Sequence, residues 1–429
     1  EFGDVCPQGG EVGRLTRVSG QLLDTSEDCL VLNVWTPDVD DQARPVLVWF
    51  HGRGFYAGAG SEPLYDGANL ARRGDVVVVT VNHRLNVFGH LYLADLGGEA
   101  FAASGNAGVQ DMELALRWVR DNIAAFGGDG SNVTIFGESG GGAKVSTLLA
   151  IPSAKGLFRR GIIQSGPMLQ ATPLETAKRN RDLVMEKLKV ASVEELQAAP
   201  AADLLAAVTS DVRTTPNFGP VKDGGYLPVD MFIPDSAPSA VGVPIIIGSN
   251  RDEIALYESA NPNYGQMSEE ELPEALGSML GDRFDAVLAA YRESRPDADP
   301  WDLMIAIRSS RFHRGTSRLA DVHSKHAPVF AYSFDFPADE KLGAAHGQEI
   351  AFVFNNASSE SGKRPEVRDV KTAMSEAWIA FARTGDPNHA SLPNWPEYNT
   401  DTRATMIFDA QSHVENDPRS PERTVWLKK

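Results

Sequence analysis

Hydrophobic residues fall along this chain in two alternating rhythms. Short runs rich in Val, Ile and aromatics, at Leu30–Thr36, Pro45–Phe50, Val76–Asn82 and Asn132–Phe136, read as strands. The series continues at Gly161–Ser165, Pro244–Gly248, Pro328–Phe334 and Ala404–Asp409. Several of these runs are apolar at consecutive positions, the pattern of interior strands covered on both faces. Between them lie segments of helical period. Over Asp111–Phe126, the residues Met112, Leu116, Val119, Ile123 and Phe126 share one stripe, and Gly127-Gly128 ends it. Two sections, about 171–210 and 267–321, are helix-rich with few strand signals, and strands resume after each. They are expected to be excursions from one sheet, so that residues 1–429 form a single α/β domain with a helical side region. No internal repeat, low-complexity tract or Pro/Ser-rich linker interrupts the pattern.

Composition narrows the classes of function. The chain has 429 residues, 42% of them hydrophobic, and a formal net charge of −18. So acidic a surface repels phosphate backbones and anionic lipid, and neither nucleic acid nor a membrane surface is an expected partner. An anionic substrate would need a local cluster of basic residues. The longest apolar runs, such as Val76–Val81, have strand length and fall far short of the roughly 18 residues that span a bilayer. No initiator Met and no basic-then-apolar leader opens the sequence, so the numbering is expected to start inside a longer gene product. The two cysteines, Cys6 and Cys29, read either as two buried thiols or as a disulfide. A disulfide closing this loop would contribute roughly 3 kcal/mol and would imply an oxidising compartment. Spacing leaves the two readings open.

The chemistry concentrates at one turn. After the run Asn132–Phe136 comes Gly137-Glu138-Ser139-Gly140-Gly141, followed by the helix-compatible run Gly142–Ala150. This is G-x-S-x-G in the context of strand, sharp turn and helix that a nucleophilic serine requires. Glycines two residues to either side of Ser139 leave room for a strained turn, and the following helix presents its positive end to developing negative charge. A bland glycine-rich turn is the alternative, since the motif by itself also occurs by chance. A phosphate-loop reading fails, because Lys144 sits one position too late after Gly142, and no G-x-G-x-x-G opens a helix after a strand. The nine histidines show no paired ligand spacing, and Asp129-Gly-Ser-Asn departs from the EF-hand pattern, so no metal is expected.

The segment Phe126-Gly-Gly-Asp-Gly-Ser-Asn-Val-Thr-Ile-Phe-Gly-Glu-Ser-Gly-Gly141 resembles the nucleophile segment of type-B carboxylesterases, the esterase and cholinesterase branch of the α/β-hydrolases. Further matches are Ser26-Glu-Asp-Cys-Leu-Val-Leu-Asn-Val-Trp35, Asn82-His-Arg-Leu-Asn-Val-Phe-Gly89 and Ala380-Phe-Ala-Arg-Thr-Gly-Asp-Pro-Asn388. The helical sections match poorly. The resemblance implies an α/β-hydrolase fold, with a large and mostly parallel central sheet and helices on both faces. It also implies hydrolysis of small-molecule carboxylic esters, for which Ser, His and a carboxylate suffice without a cofactor, while monomer and dimer both stay open. Members usually carry several dozen residues before the position of Glu1, so an N-terminal segment is expected to be absent. The family pairs the Cys of its Ser-Glu-Asp-Cys motif with an upstream Cys beside a Pro-Gln step, which implies a Cys6–Cys29 disulfide and a secreted or periplasmic enzyme.

In α/β-hydrolases the catalytic order along the chain is Ser, then Asp or Glu, then His. His51, His83 and His90 precede Ser139 and break that order. His346 follows a late strand in a short loop, and His346-Gly-Gln-Glu-Ile350 matches the family's His-Gly-x-Glu-Ile signature. For the acid, Val243–Ile247 runs into Gly248-Ser-Asn-Arg-Asp-Glu253, and the family pattern points to Glu253, with Asp252 as the neighbouring rival. The resemblance thus implies a triad of Ser139, His346 and Glu253.

One oxyanion donor is the N–H of Gly140, directly after the nucleophile. The family's other donors come from a His-Gly-Gly-Gly type loop, matched here by His51-Gly52-Arg53-Gly54-Phe55, so Arg53 and Gly54 are expected to supply two more. Two departures stand out. Arg53 occupies a glycine position, and Gly140 stands where Ala is usual, an exchange expected to give the elbow space or flexibility. The Arg53 side chain is expected either to point into solvent or pair with a carboxylate such as Glu138, or to grip a carboxylate on the substrate. Arg14 and Arg17, between the cysteines, would extend the basic path in the second case. Acyl groups with free carboxylates, such as tricarballylate half-esters of fumonisin type, would suit that pocket. The alternatives are a general short-chain carboxylesterase without anionic preference, or a non-catalytic adhesion or binding homologue. A cholinesterase is disfavoured because residues 7–28 contain no Trp to hold a quaternary ammonium.

Overall fold

A computed structural model describes residues 2–9, 17, 18, 21, 22, 24–209, 218–357 and 364–427. The chain divides into two compact units, Glu1–Ile163 with Met168–Pro244, and Gln164–Pro167 with Ile245–Lys429.

The first unit is built on strands β1 (Leu32–Trp35), β2 (Arg44–Phe50), β3 (Val77–Val81), β4 (Gly128–Glu138) and β5 (Arg160–Gln164), in the spatial order β5-β4-β2-β3-β1. Strand β2 is parallel to both β3 and β4, and β1 runs antiparallel to β3. Every residue of β2 and β3 is buried, as their continuous apolar runs require of interior strands. Helix α1 spans Ala107–Asn122 and gives way to a tighter turn over Ile123–Phe126. Met112, Leu116, Val119 and Ile123 of the stripe are fully buried, and Gly127 at φ 76° closes the turn. The helix begins four residues before the expected Asp111, since the apolar stripe marks the buried face and not the cap. Helix α2 (Gly140–Leu149) follows β4 directly. The helix-rich section near 171–210 forms α3 (Leu174–Leu188), α4 (Val193–Gln197) and α5 (Ala201–Thr209), and Val184, Met185, Val193, Leu196 and Val208 bury a cluster with Val87, Leu91 and Phe218. Cys6 and Cys29 form a disulfide, packed on Leu85.

The second unit has strands β6 (Ile245–Asn250), β7 (Val329–Phe334), β8 (Ala404–Phe408) and β9 (His413–Asn416), in the order β9-β8-β7-β6. β6, β7 and β8 run parallel, and β9 is an antiparallel edge strand. The section near 267–321 is helical, as α6 (Leu272–Leu280), α7 (Phe284–Ser294) and the long α8 (Pro300–His323), which bury Leu276, Leu288, Tyr291 and Trp301 in one cluster. After β7 come a one-turn helix, α9 (Ile350–Val353), and α10 (Pro365–Thr384). No described helix is long and apolar enough to cross a membrane.

Candidate active site

Ser139 sits between the last residue of β4 and the first of α2, at φ 56° and ψ −120°. An L-residue rarely adopts such angles, and holding one there costs about 1–3 kcal/mol that the surroundings must offset. Steric exclusion does the holding. A Cβ on Gly137 would meet the carbonyl carbon of Gly141 at 2.5 Å, and a Cβ on Gly141 would meet the oxygen of Phe50 at 2.0 Å. Both motif glycines are therefore required by close backbone approach. With the helix starting at Gly140, Ser139 stands at the positive end of α2.

The loop after β2 comes close to this elbow. An added Cβ on Gly52 would lie 3.6 Å from the Ser139 Cβ and 3.1 Å from Oε2 of Glu138, whose side chain is buried. Arg53 and Gly54 both have positive φ, 62° and 60°, so the position the family gives to glycine keeps a glycine-like backbone although it holds Arg. The Arg53 guanidinium lies 3.0 Å from Oε2 of Glu62, a pairing with a nearby carboxylate as one of the expectations had it, with Glu62 as a partner beyond the Glu138 named there. Burial pushes the Glu62 carboxyl up, and the nearby Arg53 pulls it back down. The expectation of extra room at Gly140 needs correcting. A Cβ there would lie 2.3 Å from the nitrogen of Gly54, so the Gly54 backbone already fills the space that Ala would need. Arg14 lies outside the described residues, and Arg17 belongs to a two-residue strand, Arg17–Val18.

In the second unit His346 and Glu253 are paired. His346 Nδ1 and Glu253 Oε2 are 2.5 Å apart, with Glu253 fully buried at the turn after β6. The other Glu253 oxygen accepts the Asn250 N–H at 2.8 Å. Asp252, the rival, is turned away: it pairs with Arg251 at 2.8 Å and accepts the Ala344 N–H at 3.0 Å. Gly347, at φ 76°, turns the chain sharply after His346. Tyr257 and Phe312 pack on the imidazole, with ring centres 5.5 and 4.9 Å away. Behind the pair lies a second buried carboxylate, Glu349. It accepts hydrogen bonds from the side chains of Asn250 at 2.6 Å and Gln164 at 3.2 Å, and Gln164 in turn accepts from the Trp378 indole. Burial and the neighbouring Glu253 push the Glu349 carboxyl up to about 7.

The sequence reading missed Glu62, Lys144 and the Asn250–Glu349 pair as parts of these clusters. Glu349 lay in plain view inside the His-Gly-Gln-Glu-Ile segment, and Lys144 had been weighed only as a phosphate-loop lysine.

A nucleophilic elbow between strand and helix, on largely parallel strands flanked by helices, is the architecture of an α/β-hydrolase. The chain belongs to the carboxylesterase family, whose profile matches residues 1–426. It is 38% identical to a para-nitrobenzyl esterase of Bacillus subtilis (strain 168), over 98% of this chain and 87% of that protein. A fumonisin B1 esterase of Sphingopyxis macrogoltabida is 33% identical, over 89% of this chain and 73% of that protein. Among solved structures, the Geobacillus stearothermophilus carboxylesterase EST55 superposes with a TM-score of 0.84 at 40% identity, covering 99% of this chain and 89% of that one. The molecule is thus a carboxylic-ester hydrolase of the serine type.

Proposed function

We propose that this carboxylesterase works through a covalent acyl-enzyme on Ser139, with His346 as base and acid and Glu253 as the orienting carboxylate. Ser139 Oγ attacks the ester carbonyl while its proton passes to His346 Nε2. The tetrahedral oxyanion is met by the N–H groups of Arg53, Gly54 and Gly140, and it collapses as the alcohol leaves with the proton from His346. Water, deprotonated by the same imidazole, then frees the acid and restores the serine. Glu253 keeps the Nδ1 proton in place and stabilises the imidazolium. The elbow geometry of Ser139, at φ 56° and ψ −120°, carries this reading, and the Glu253–His346 pair supports it. The test is a hydrolysis panel varying acyl charge and chain length, with Ser139→Ala as the blank. Activity is expected to vanish with Ser139→Ala, together with labelling by a phosphonate inhibitor. A Ser139→Ala enzyme that still hydrolyses esters at the wild-type rate overturns the reading.

A second reading concerns the acyl group. Arg53 stands in the loop beside Ser139, partly exposed, and one relative is named a fumonisin B1 esterase. Substrates with carboxylates in the acyl part would compete with Glu62 for that guanidinium. Arg53→Gly is then expected to slow such esters more than neutral ones, and an equal loss on both would leave a general esterase. The Cys6–Cys29 disulfide supports a secreted or periplasmic location, since thiols stay reduced in the cytosol.

A further inference from the structure

Lys144 is the fifth residue of α2 and is fully buried. Its amino group donates to the His51 carbonyl at 2.6 Å and reaches the Gly52 carbonyl at 3.5 Å. The Phe55 ring lies beneath it, 5.6 Å away. Among the described residues it makes no ion pair, and burial pushes its ammonium far below the usual lysine range, with the charge of Glu62 offsetting only part of that cost. A Met or Leu would fill the same space at less cost. An amine kept there at such expense calls for a role, and its hydrogen bonds lie on one loop only.

We propose that Lys144 is a positioning residue of the ester-cleaving site: it anchors the carbonyls of His51 and Gly52 and thereby aims the Arg53 N–H at the oxyanion. The inference rests on the reading of Ser139 and its oxyanion donors given above. In a trans peptide unit the C=O and N–H point in opposite directions. The Gly52 carbonyl and the Arg53 N–H belong to one such unit, so fixing the carbonyl toward Lys144 directs the N–H the other way. His51 helps, since its Nδ1 lies 3.1 Å from the same Gly52 oxygen. Burial holds His51 neutral, as it does His83, which stacks on it at 4.9 Å, so either ring can carry its proton on Nδ1 without adding charge.

The placement on α2 ties the brace to the nucleophile. Gly141 and Lys144 lie three residues apart, on one face of the helix. Gly141 takes the Phe50 and His51 carbonyls against its Cα, with an added Cβ 2.0 and 3.2 Å from their oxygens, and Lys144 grips the loop one turn further along. The helix that begins with the Gly140 donor therefore also orients the loop that brings the Arg53 donor. Arg53, with its positive φ, gains a second restraint from Glu62 at the other end of its side chain. An Arg at positive φ is drawn toward the negative-φ conformers that an L-residue prefers, and Lys144 opposes that relaxation from behind.

The experiment compares wild type, Lys144→Met and Lys144→Gln on a neutral p-nitrophenyl ester. Rates are expressed per active site, counted by phosphonate titration, so that any misfolded fraction drops out. Lys144→Met should lose about 10- to 100-fold in kcat with KM changed less than about threefold, since a misaimed oxyanion donor is missed only in the transition state. Affinity for a trifluoromethyl ketone, which forms the tetrahedral oxyanion, should fall in step. Lys144→Gln, which keeps an N–H donor on a side chain one bond shorter, should recover part of kcat, and it carries the test if the Met variant does not fold. A kcat within twofold of wild type in Lys144→Met overturns the proposal. So does a loss shared equally by kcat and substrate affinity with no recovery in Lys144→Gln, the signature of a merely structural lysine. Activity retained in Ser139→Ala would instead defeat the underlying reading, and the two failures stay distinct.

Discussion

Ser139 in the first unit and His346 in the second are held by different physics. Around Ser139 the backbone leaves no alternative, because Gly137 and Gly141 sit where any Cβ would collide with main chain. Around His346 the restraint is attraction: a fully buried carboxylate on Nδ1, backed by Asn250 and by a second buried carboxylate. Steric restraint is indifferent to pH and tolerates no added atom. Electrostatic restraint tolerates isosteric change in shape and is sensitive to every change of charge. Ser139 is exposed to the first kind of damage and His346 to the second, and the two kinds can be told apart.

The largest effect is expected from the electrostatic side. Glu253→Gln keeps the shape of the side chain but offers His346 an N–H where the carboxylate stood, which favours the wrong tautomer. Stopped-flow or steady-state assays should show kcat lower by about 10⁴-fold with the fold intact. A loss of less than tenfold would mean that Glu253 is not the acid His346 depends on. On the steric side, Gly141→Ala should cost about 1–3 kcal/mol in urea melts, because the new methyl must displace the Phe50 carbonyl. Its activity loss should be the same at every pH where wild type is folded, and a loss that changes with pH would contradict a purely steric restraint.

The smallest effect tests the second carboxylate. The folded value of Glu349, about 7, lies above its ordinary 4.5, so the folded state keeps the proton that the unfolded chain has released. The contribution of this group to stability is therefore full below pH 4.5, falls as pH rises toward 7, and is level beyond that. Glu349→Gln removes the dependence. Whatever fixed offset the amide brings, the variant should gain on wild type by about 1–3 kcal/mol between those limits and hold steady above them. Parallel melting curves with pH would show that Glu349 stays ionised throughout.

The same contrast explains what the sequence made legible. Ser139 was readable because its restraint is local: strand, glycines and helix are contiguous, and the steric logic runs over five residues. The parallel strands were readable for a similar reason, since full burial writes itself as an unbroken apolar run. The choice between Asp252 and Glu253 was not readable from chemistry, because the two carboxylates are neighbours and only the fold sends one to Arg251 and Ala344 and the other to His346. Glu62 and Lys144 were hidden more deeply. Lys144 meets main-chain carbonyls 92 and 93 positions away, and a carbonyl leaves no mark in a sequence. The start of α1 was missed because its cap carries no signal as strong as its stripe.

The fit between Gly140 and Gly54 constrains how this chain could have diverged from its relatives, or could be engineered back toward them. With Gly54 nitrogen 2.3 Å from the place a Cβ would take, alanine at 140 is closed off until the 53–54 loop moves. That loop is tied by the Arg53–Glu62 pair, so the permitted route changes the loop first and the elbow second. Reversed, the same two exchanges pass through an intermediate in which the new methyl overlaps the Gly54 backbone. The two positions are thus epistatic, and a mutational library that samples them one at a time would record alanine at 140 as harmful.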